Sequence, residues 1–293
     1  MILFFENGRL GNQLFQYSGI RAFFPDHRLV LCGFADLRSV SVGLKARFLS
    51  KKRFLSVNLN GLLQRLLRLL VSLRLVGLVT EGHSGHQYRL SVRRGLLPNL
   101  FVTENLFFQH QDAVSKFAEP ITLKSELVEQ AKAWLMNKGL DFIKNELIFV
   151  HVRRGDYIAW PSKQFPAVLD WIWYEGAIEA IRKKKPNAKF ILMSDDQFYL
   201  RDIVEESESL IVSENPHYID LAIMSLCKHG ILSASSFAWW GANLSRQHFH
   251  SKAKERQVFL APKYWIGHRA NEWYPASFIS DWLIYVDDPL DLL

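Results

Sequence analysis

The chain has 293 residues, 49% of them hydrophobic, and a formal charge of +7. That supplies enough apolar material for one large core or two modest ones, and it excludes a disordered or low-complexity protein. Two cysteines exclude a disulfide scaffold, and no stretch reaches the roughly 18 unbroken apolar residues of a membrane span.

The charge is local. Nine Lys or Arg and no Asp or Glu fall between Leu37 and Thr80, and the remainder holds 27 basic and 29 acidic residues, a net of −2. A local excess of this kind points to a local anionic partner. The opening MILFFENGRLGNQ lacks the basic and apolar regions of a signal peptide. Cys32 and Cys227 each sit in an apolar run and read as reduced core thiols.

In chain order, Met1 to Phe5 predicts a first strand, Gly8 to Asn12 a turn, Gln13 to Phe24 a helix and His27 to Phe34 a second strand. Gly61 to Val76 has a helical pattern with Arg65 and Arg68 one turn apart and leucines over most of the remaining surface. Two readings fit it: a helix in a membrane interface with snorkelling arginines, or a core helix buried on nearly all sides. Glu81 to Asn99 reads as loop, and its His83 and His86 lack the Cys or acidic partners that complete a metal site, so no metal is assigned. Leu123 to Met136 predicts an amphipathic helix, and Gly139 to Asn145 the approach to a second domain.

From Leu147 the pattern becomes regular. Strands are expected at 147–152, 189–193, 210–213, 230–233 and 257–260, with helices at 171–185, 198–206, 218–228 and 236–246. Such alternation predicts a parallel, Rossmann-like sheet. The tail from residue 266, with Trp273, Tyr274 and Trp282, is expected to pack back on the body.

Three strand ends in this half carry polar groups: His151, Arg153, Arg154 and Asp156; Asp195 and Asp196; and Ser233, Ser235 and Ser236. Open α/β sheets bind ligands at that end of their strands. Paired guanidinium groups facing serines at a helix start can bracket a diphosphate, and a neighbouring carboxylate can accept the N–H groups of a guanine. Asp195 and Asp196 fit equally well as an N-cap and a surface charge.

The segments GRLGNQLFQY (Gly8 to Tyr17), VHVRRGDY (Val150 to Tyr157), MSDD (Met193 to Asp196), DLAIMSLCKHGIL (Asp220 to Leu232), SSFAWWGANL (Ser235 to Leu244) and APKYW (Ala261 to Trp265) occur in the order seen in glycosyltransferase family 11, the α-1,2-fucosyltransferases, which the chain resembles over nearly its whole length. The resemblance implies a GT-B-like α/β fold of two Rossmann-like domains facing a cleft, here expected at 1–145, the acceptor side, and 146–265. It also implies GDP-β-L-fucose as donor, inversion at the anomeric carbon, no metal or other cofactor, and a galactose-containing glycan as acceptor. By motif position Arg153 holds the β-phosphate, His151 and Arg154 shape that pocket, Asp196 or Asp195 meets the guanine, and Ser235 and Ser236 take phosphate oxygens. Asn12 lies near the reaction centre and Gly11 with the donor. Gln13, Gln109 and Trp240 fall on the acceptor side. Asp156 is a candidate base or a brace for the arginines, with Glu6 and Glu104 as other bases.

Three positions depart from the family's usual pattern: Ala234 replaces Asn, Asn243 replaces Trp, and the segment often written GYFQ is Leu106 to Gln109. The first two bear on packing near the donor and the third on the acceptor pocket. Within this resemblance the expected setting is surface polysaccharide synthesis at the inner face of a bacterial cell membrane, with an acceptor carried on a lipid or a lipopolysaccharide precursor and peripheral contact with anionic lipid. The competing readings are transfer of another sugar or linkage, an inactive glycan-binding module, and a basic nucleic-acid-binding protein. The last fits poorly, because the basic segment interleaves leucines where base-reading or stacking groups are needed.

Overall fold

In the computed structural model Leu147–Val152, apolar except for His151, is a strand whose six residues are all buried, as a central strand of a doubly covered parallel sheet requires. The structure describes residues 1–49, 53–54, 57–84, 87–104, 106–110, 113–114, 120–249, 256–276 and 278–292, with the backbone alone at 53–54, 57–60, 83–84 and 87. The chain divides into two compact units, Met1–Thr122 and Leu123–Leu293.

The first unit carries β1 (Ile2–Phe5), β2 (Leu29–Cys32), β3 (Arg47–Leu49), β4 (Gly77–Ser84), β5 (Gln87–Arg93) and β6 (Phe101–Glu104), ordered β3-β2-β1-β6-β4-β5. All neighbours are parallel except the β4–β5 hairpin. The unit's described helices include α1 (Leu10–Phe23), α2 (Ala35–Val40) and α3 (Leu59–Ser72). Glu81 to Asn99, expected as loop, supplies most of this hairpin instead. Its Gly, His and Ser content masked the two-residue alternation in QYRLSVR (Gln87 to Arg93) that a strand needs. The expected helix over 61–76 ends at Ser72, and Arg74 takes a left-handed conformation (φ 57°).

The second unit has β7 (Leu147–Val152), β8 (Lys189–Ser194), β9 (Leu210–Val212), β10 (His229–Leu232), β11 (Phe259–Pro262) and β12 (Ile284–Val286). Their order is β9-β8-β7-β10-β11-β12, all parallel, which is the doubly wound 3-2-1-4-5-6 pattern. The helices are α4 (Ser125–Asn137), α5 (Trp171–Lys184), α6 (Gln197–Ile203), α7 (His217–Leu226) and α8 (Ser236–Phe249). The unit begins earlier than residue 146, because α4 packs on α7. The tail adds β12 to the sheet edge.

A polar cluster closes the amino-terminal end of this sheet. Glu146, just before β7, accepts hydrogen bonds from Lys185 (2.6 Å) and Lys228 (3.3 Å) and from Nε2 of the fully buried His229 (2.6 Å). Val258 N–H donates to His229 Nδ1 (2.8 Å), so the ring serves as a neutral donor at Nε2 and acceptor at Nδ1. Burial works to raise the Glu146 carboxyl, but the bonds from Lys185 and His229 and the charge of Lys228 outweigh it and hold it at about 2. The stability it contributes is therefore complete above its ordinary value of 4.5 and is lost as pH falls toward about 2. Glu146→Gln should cost about 2 kcal/mol at neutral pH, because charge-assisted bonds weaken to neutral ones. Urea denaturation of both proteins at pH 7 and pH 3 checks this: the gap should narrow at the lower pH.

Candidate functional site

Strand order reverses between β7 and β10, and the polar strand ends meet there. Ser233, following β10, places its Oγ 2.7 Å from His151 Nδ1, and its N–H donates to the His151 carbonyl (3.1 Å). Burial, with the nearby Arg153 charge, lowers the His151 imidazole to about 3, so it is neutral at pH 7 and is no general acid. Its ring centre lies 5.4 Å from that of Phe237 on α8.

Ser235 Oγ accepts from Phe237 N–H (3.2 Å), which caps α8 and leaves the hydroxyl proton free to donate. Tyr157 OH donates to the Ala234 carbonyl (2.9 Å). The Arg153 guanidinium lies over the Tyr157 ring, 5.2 Å from its centre. These contacts tie the loop after β7 to the loop that starts α8. A guanidinium and a helix N-terminus in the same crevice can hold an anion.

The arginines are braced by three carboxylates. Arg153 pairs with Asp156 and, at 2.8 Å, with Asp195, which occupies two of its five donor hydrogens. Asp195 also accepts from the Arg154 N–H (2.9 Å). Arg154 Nε lies 3.3 Å from Asp196, and its guanidinium stacks on Tyr199, 3.5 Å from the ring centre. Asp196 is in addition the N-cap of α6, accepting from Tyr199 N–H (3.1 Å). Of the two sequence readings for this pair, the N-cap holds for Asp196, while Asp195 is no free surface charge but a cross-strand partner. Gly155 makes this possible: it has φ 27°, and a Cβ there would lie 2.3 Å from an Asp195 oxygen.

In the first unit, Asn12 Oδ1 accepts from Gln109 Nε2 (2.9 Å). Gly8, at φ 87°, gives Asn12 its space, since a Cβ would meet the side-chain amide at 2.2 Å. The Leu106–Gln109 segment hangs on Glu81, whose carboxylate accepts from Phe107 N–H (2.8 Å) and Phe108 N–H (2.9 Å). The sequence reading gave no role to Glu81 or Tyr199, and held Tyr157 only as the last residue of a motif. For Tyr199 the available signal was its place three residues after a capping Asp.

Other candidates are placed where they serve packing. Gln13 is buried, accepting from Leu37 N–H (2.9 Å) and donating to Glu6 (3.1 Å), so it presents no group to an acceptor. Trp240 is buried against Trp239 in the core. Gly11 lies buried in the first turn of α1. Glu6 is committed to Gln13 and Phe34 N–H, and Glu104 pairs with Arg68 (3.6 Å). Ser236 opens α8 half-buried. Asn243 is buried on α8, its Nδ2 without a hydrogen-bond partner among the described residues. His86, and the side chain of His83, lie outside the described residues. Among the described residues no three His, Cys, Asp or Glu are grouped to hold a metal ion.

The two-sheet fold, extending over 97% of this chain and 85% of the other, is shared with the crystal structure of the glycosyl transferase family 9 protein from Veillonella parvula DSM 2008 (TM-score 0.53, 13% identity). It is the α/β architecture of a GT-B-like glycosyltransferase. The chain belongs to glycosyl transferase family 11, whose family model matches residues 100–257. The O-antigen biosynthesis glycosyltransferase WbnK of Escherichia coli is 31% identical over 121 residues, which are 40% of this chain and 38% of WbnK. The alpha-1,2-colitosyltransferase of Escherichia coli is 22% identical over 280 residues, 88% of this chain and 90% of that enzyme. The chain thus covers well under half the length of the first and most of the second.

A further ionisable group lies on the helix that follows β9. Asp220, in the first turn of α7, is buried and accepts from Ser213 Oγ (2.6 Å), which follows β9. Burial raises its carboxyl from 3.8 to about 7. The folded chain therefore keeps a proton there that the unfolded chain releases, and the stability this adds is full below 3.8 and lost as pH rises to about 7. Asp220→Asn should remove that slope. Urea denaturation at pH 4.5 and pH 7.5 should show the variant gaining on the parent as pH rises.

Proposed function

We propose that the protein transfers L-fucose from GDP-β-L-fucose to a glycan hydroxyl, O-2 of a terminal galactose, with inversion and without a metal, during synthesis of a bacterial surface polysaccharide. The observation that carries this reading is the juxtaposition of Arg153 with the Ser235-capped start of α8 at the switch point of the second sheet. The motifs shared with the α-1,2-fucosyltransferase family support the choice of sugar and linkage. The name of WbnK supports the polysaccharide setting. In this setting the enzyme works peripherally at the inner face of the cell membrane, on an acceptor carried by a lipid.

The bond from the fucosyl anomeric carbon to the β-phosphate oxygen breaks as the acceptor oxygen bonds to the opposite face of that carbon. Negative charge grows on the departing diphosphate, where the donors Arg153 still has free, the Ser235 and Ser236 hydroxyls and the α8 N-terminus are aimed. Such preorganised charge stabilises the transition state more than the ground state. His151, neutral and held by Ser233, shapes the pocket and takes no proton. The oxygens of Asp196 retain lone pairs for the guanine N–H groups. Asp156, paired with Arg153, acts as its brace. The acceptor proton leaves to solvent or to the released GDP, since Glu6, Glu104 and Asp156 are all engaged.

Arg153→Ala should stay folded, weaken GDP binding and lower turnover about a hundredfold, the equivalent of roughly 3 kcal/mol for one lost transition-state contact. Arg153→Lys should rescue little, because a point charge does not reproduce the fork. Circular dichroism, GDP titration and GDP-fucose turnover on the same samples test this. A folded alanine variant with parental binding and rate refutes the phosphate role. A second reading, transfer of colitose, follows from the relative that aligns along most of the chain. Offering fucosyl and colitosyl nucleotides to galactose-terminated acceptors decides between the two.

Arginines supply at this site the positive charge that a divalent ion supplies elsewhere. Turnover should therefore survive excess EDTA. Complete loss, restored by Mg²⁺ or Mn²⁺, would overturn the metal-free mechanism.

A further inference from the structure

Helix α3 is apolar on two faces. Leu63, Leu67, Leu70 and Val71 face inward, in a cluster with Leu3, Phe5, Leu78 and Val102. That face satisfies the packing of the first sheet. A second row, Leu62, Leu66, Leu69 and Leu73, is between 52% and 58% exposed and continues along the outer side of the helix and its last turn. Spacings of four, three and four residues put these four side chains on one stripe.

The stripe is extended by a separate segment. The N–H groups of Leu96 and Leu97 donate to the carbonyls of Arg74 and Leu75 (both 2.8 Å), which pins these two leucines, 76% and 48% exposed, beside the end of the helix. Six of the eight strongly exposed leucines among the described residues therefore lie on α3, its last turn, or the segment bonded to its end. Arg65, Arg68, Arg74, Arg93 and Arg94 stand exposed around them. Arg93 is fixed there by a bond to the Val71 carbonyl (3.1 Å), and Arg68 alone of these has a described acidic partner, Glu104.

We propose that this surface of α3 and the 94–97 segment docks the protein on an anionic phospholipid bilayer, with α3 lying in the plane of the interface. This deepens, and rests on, the reading of an enzyme that works at a membrane on a lipid-carried acceptor. Charge decides the occupant. Arginine stems lie along apolar surface while their heads reach phosphate, which is the arrangement an anionic interface rewards. A second copy meeting the same surface would set arginines against arginines. Nucleic acid would find leucines where stacking or base-reading groups are needed. No described helix is long and apolar enough to cross a membrane, so the leucines enter only the interfacial layer.

The full chain is mixed with vesicles of phosphatidylethanolamine, with and without phosphatidylglycerol, and sedimented. The parent should bind the anionic vesicles. Leu66→Ser with Leu69→Ser, and separately Arg65→Glu with Arg94→Glu, should each lower that partitioning at least tenfold while turnover on a soluble acceptor is kept. A second readout needs no loss of binding. Both native cysteines are buried, so Leu66→Cys can carry a polarity-sensitive dye. Its emission should shift to the blue with anionic vesicles, and the same dye at Met136→Cys, an exposed position of the second unit, should not shift. Parental sedimentation of both double variants together with an unshifted dye at residue 66 overturns the proposal. So does a lipid-independent dimer that the leucine variant abolishes. Sedimentation uses neither donor nor acceptor, so vesicle binding without sugar transfer would refute the fucosyltransferase reading and leave the docking surface standing.

Discussion

The Asp195 carboxylate is the constraint on which the second unit's polar crevice depends. It stands at the end of β8 and reaches to the end of β7, where one oxygen meets the Arg153 guanidinium and the other the Arg154 N–H. The Arg153 side chain is only 13% exposed, so this pairing works in a partly desolvated setting where charge–charge attraction is weakly screened. A lone guanidinium held there would be costly, and a lone carboxylate equally so. Together they fix the direction of the arginine. The glycine that follows the two arginines is the steric condition for their approach.

The same sheet separates its charges along the strand axis. Strand β7 has the Glu146 cluster at its start and the arginines at its end, with six buried residues between. Strand β10 repeats the pattern, with His229 at its start and Ser233 just past its end. Neither polar cluster interrupts the apolar middle. The lower cluster is closed, since Lys185, Lys228 and His229 converge on one carboxylate. The upper one keeps donors to spare on Arg153 and the α8 N-terminus. Among the described residues of these two strands, spare donors thus appear at one end.

Much of this was legible in the sequence because apolar runs and helical periods are local signals. The strands and helices from Leu147 to Pro262 fall within a few residues of where periodicity puts them, while the tail strand β12 was not expected. The hairpin of β4 and β5 was not legible, since its pairing partner lies outside any local window and its composition favours loops. Burial state was also hidden for residues with two uses. Gln13 and Trp240 stand in motifs whose neighbours are functional candidates, yet both fill the interior. Asp195 and Asp196 are chemically identical in the sequence, and only the geometry of β7 separates the partner of Arg153 from the cap of α6. The outer leucines of α3 have the same identity as the inner ones, and a leucine-rich helix reads as buried until the width of its core is known.

Glu81 holds the Leu106–Gln109 segment by main-chain amides and not by side chains. Leu106 and Phe108 point inward and are almost fully buried, while Phe107 and Gln109 remain partly exposed. A carboxylate bound to backbone N–H groups is indifferent to what the outward positions carry. The loop can therefore exchange its outward residues over evolutionary time and keep its course, so that the surface shown by this unit can diverge among relatives faster than the framework that displays it.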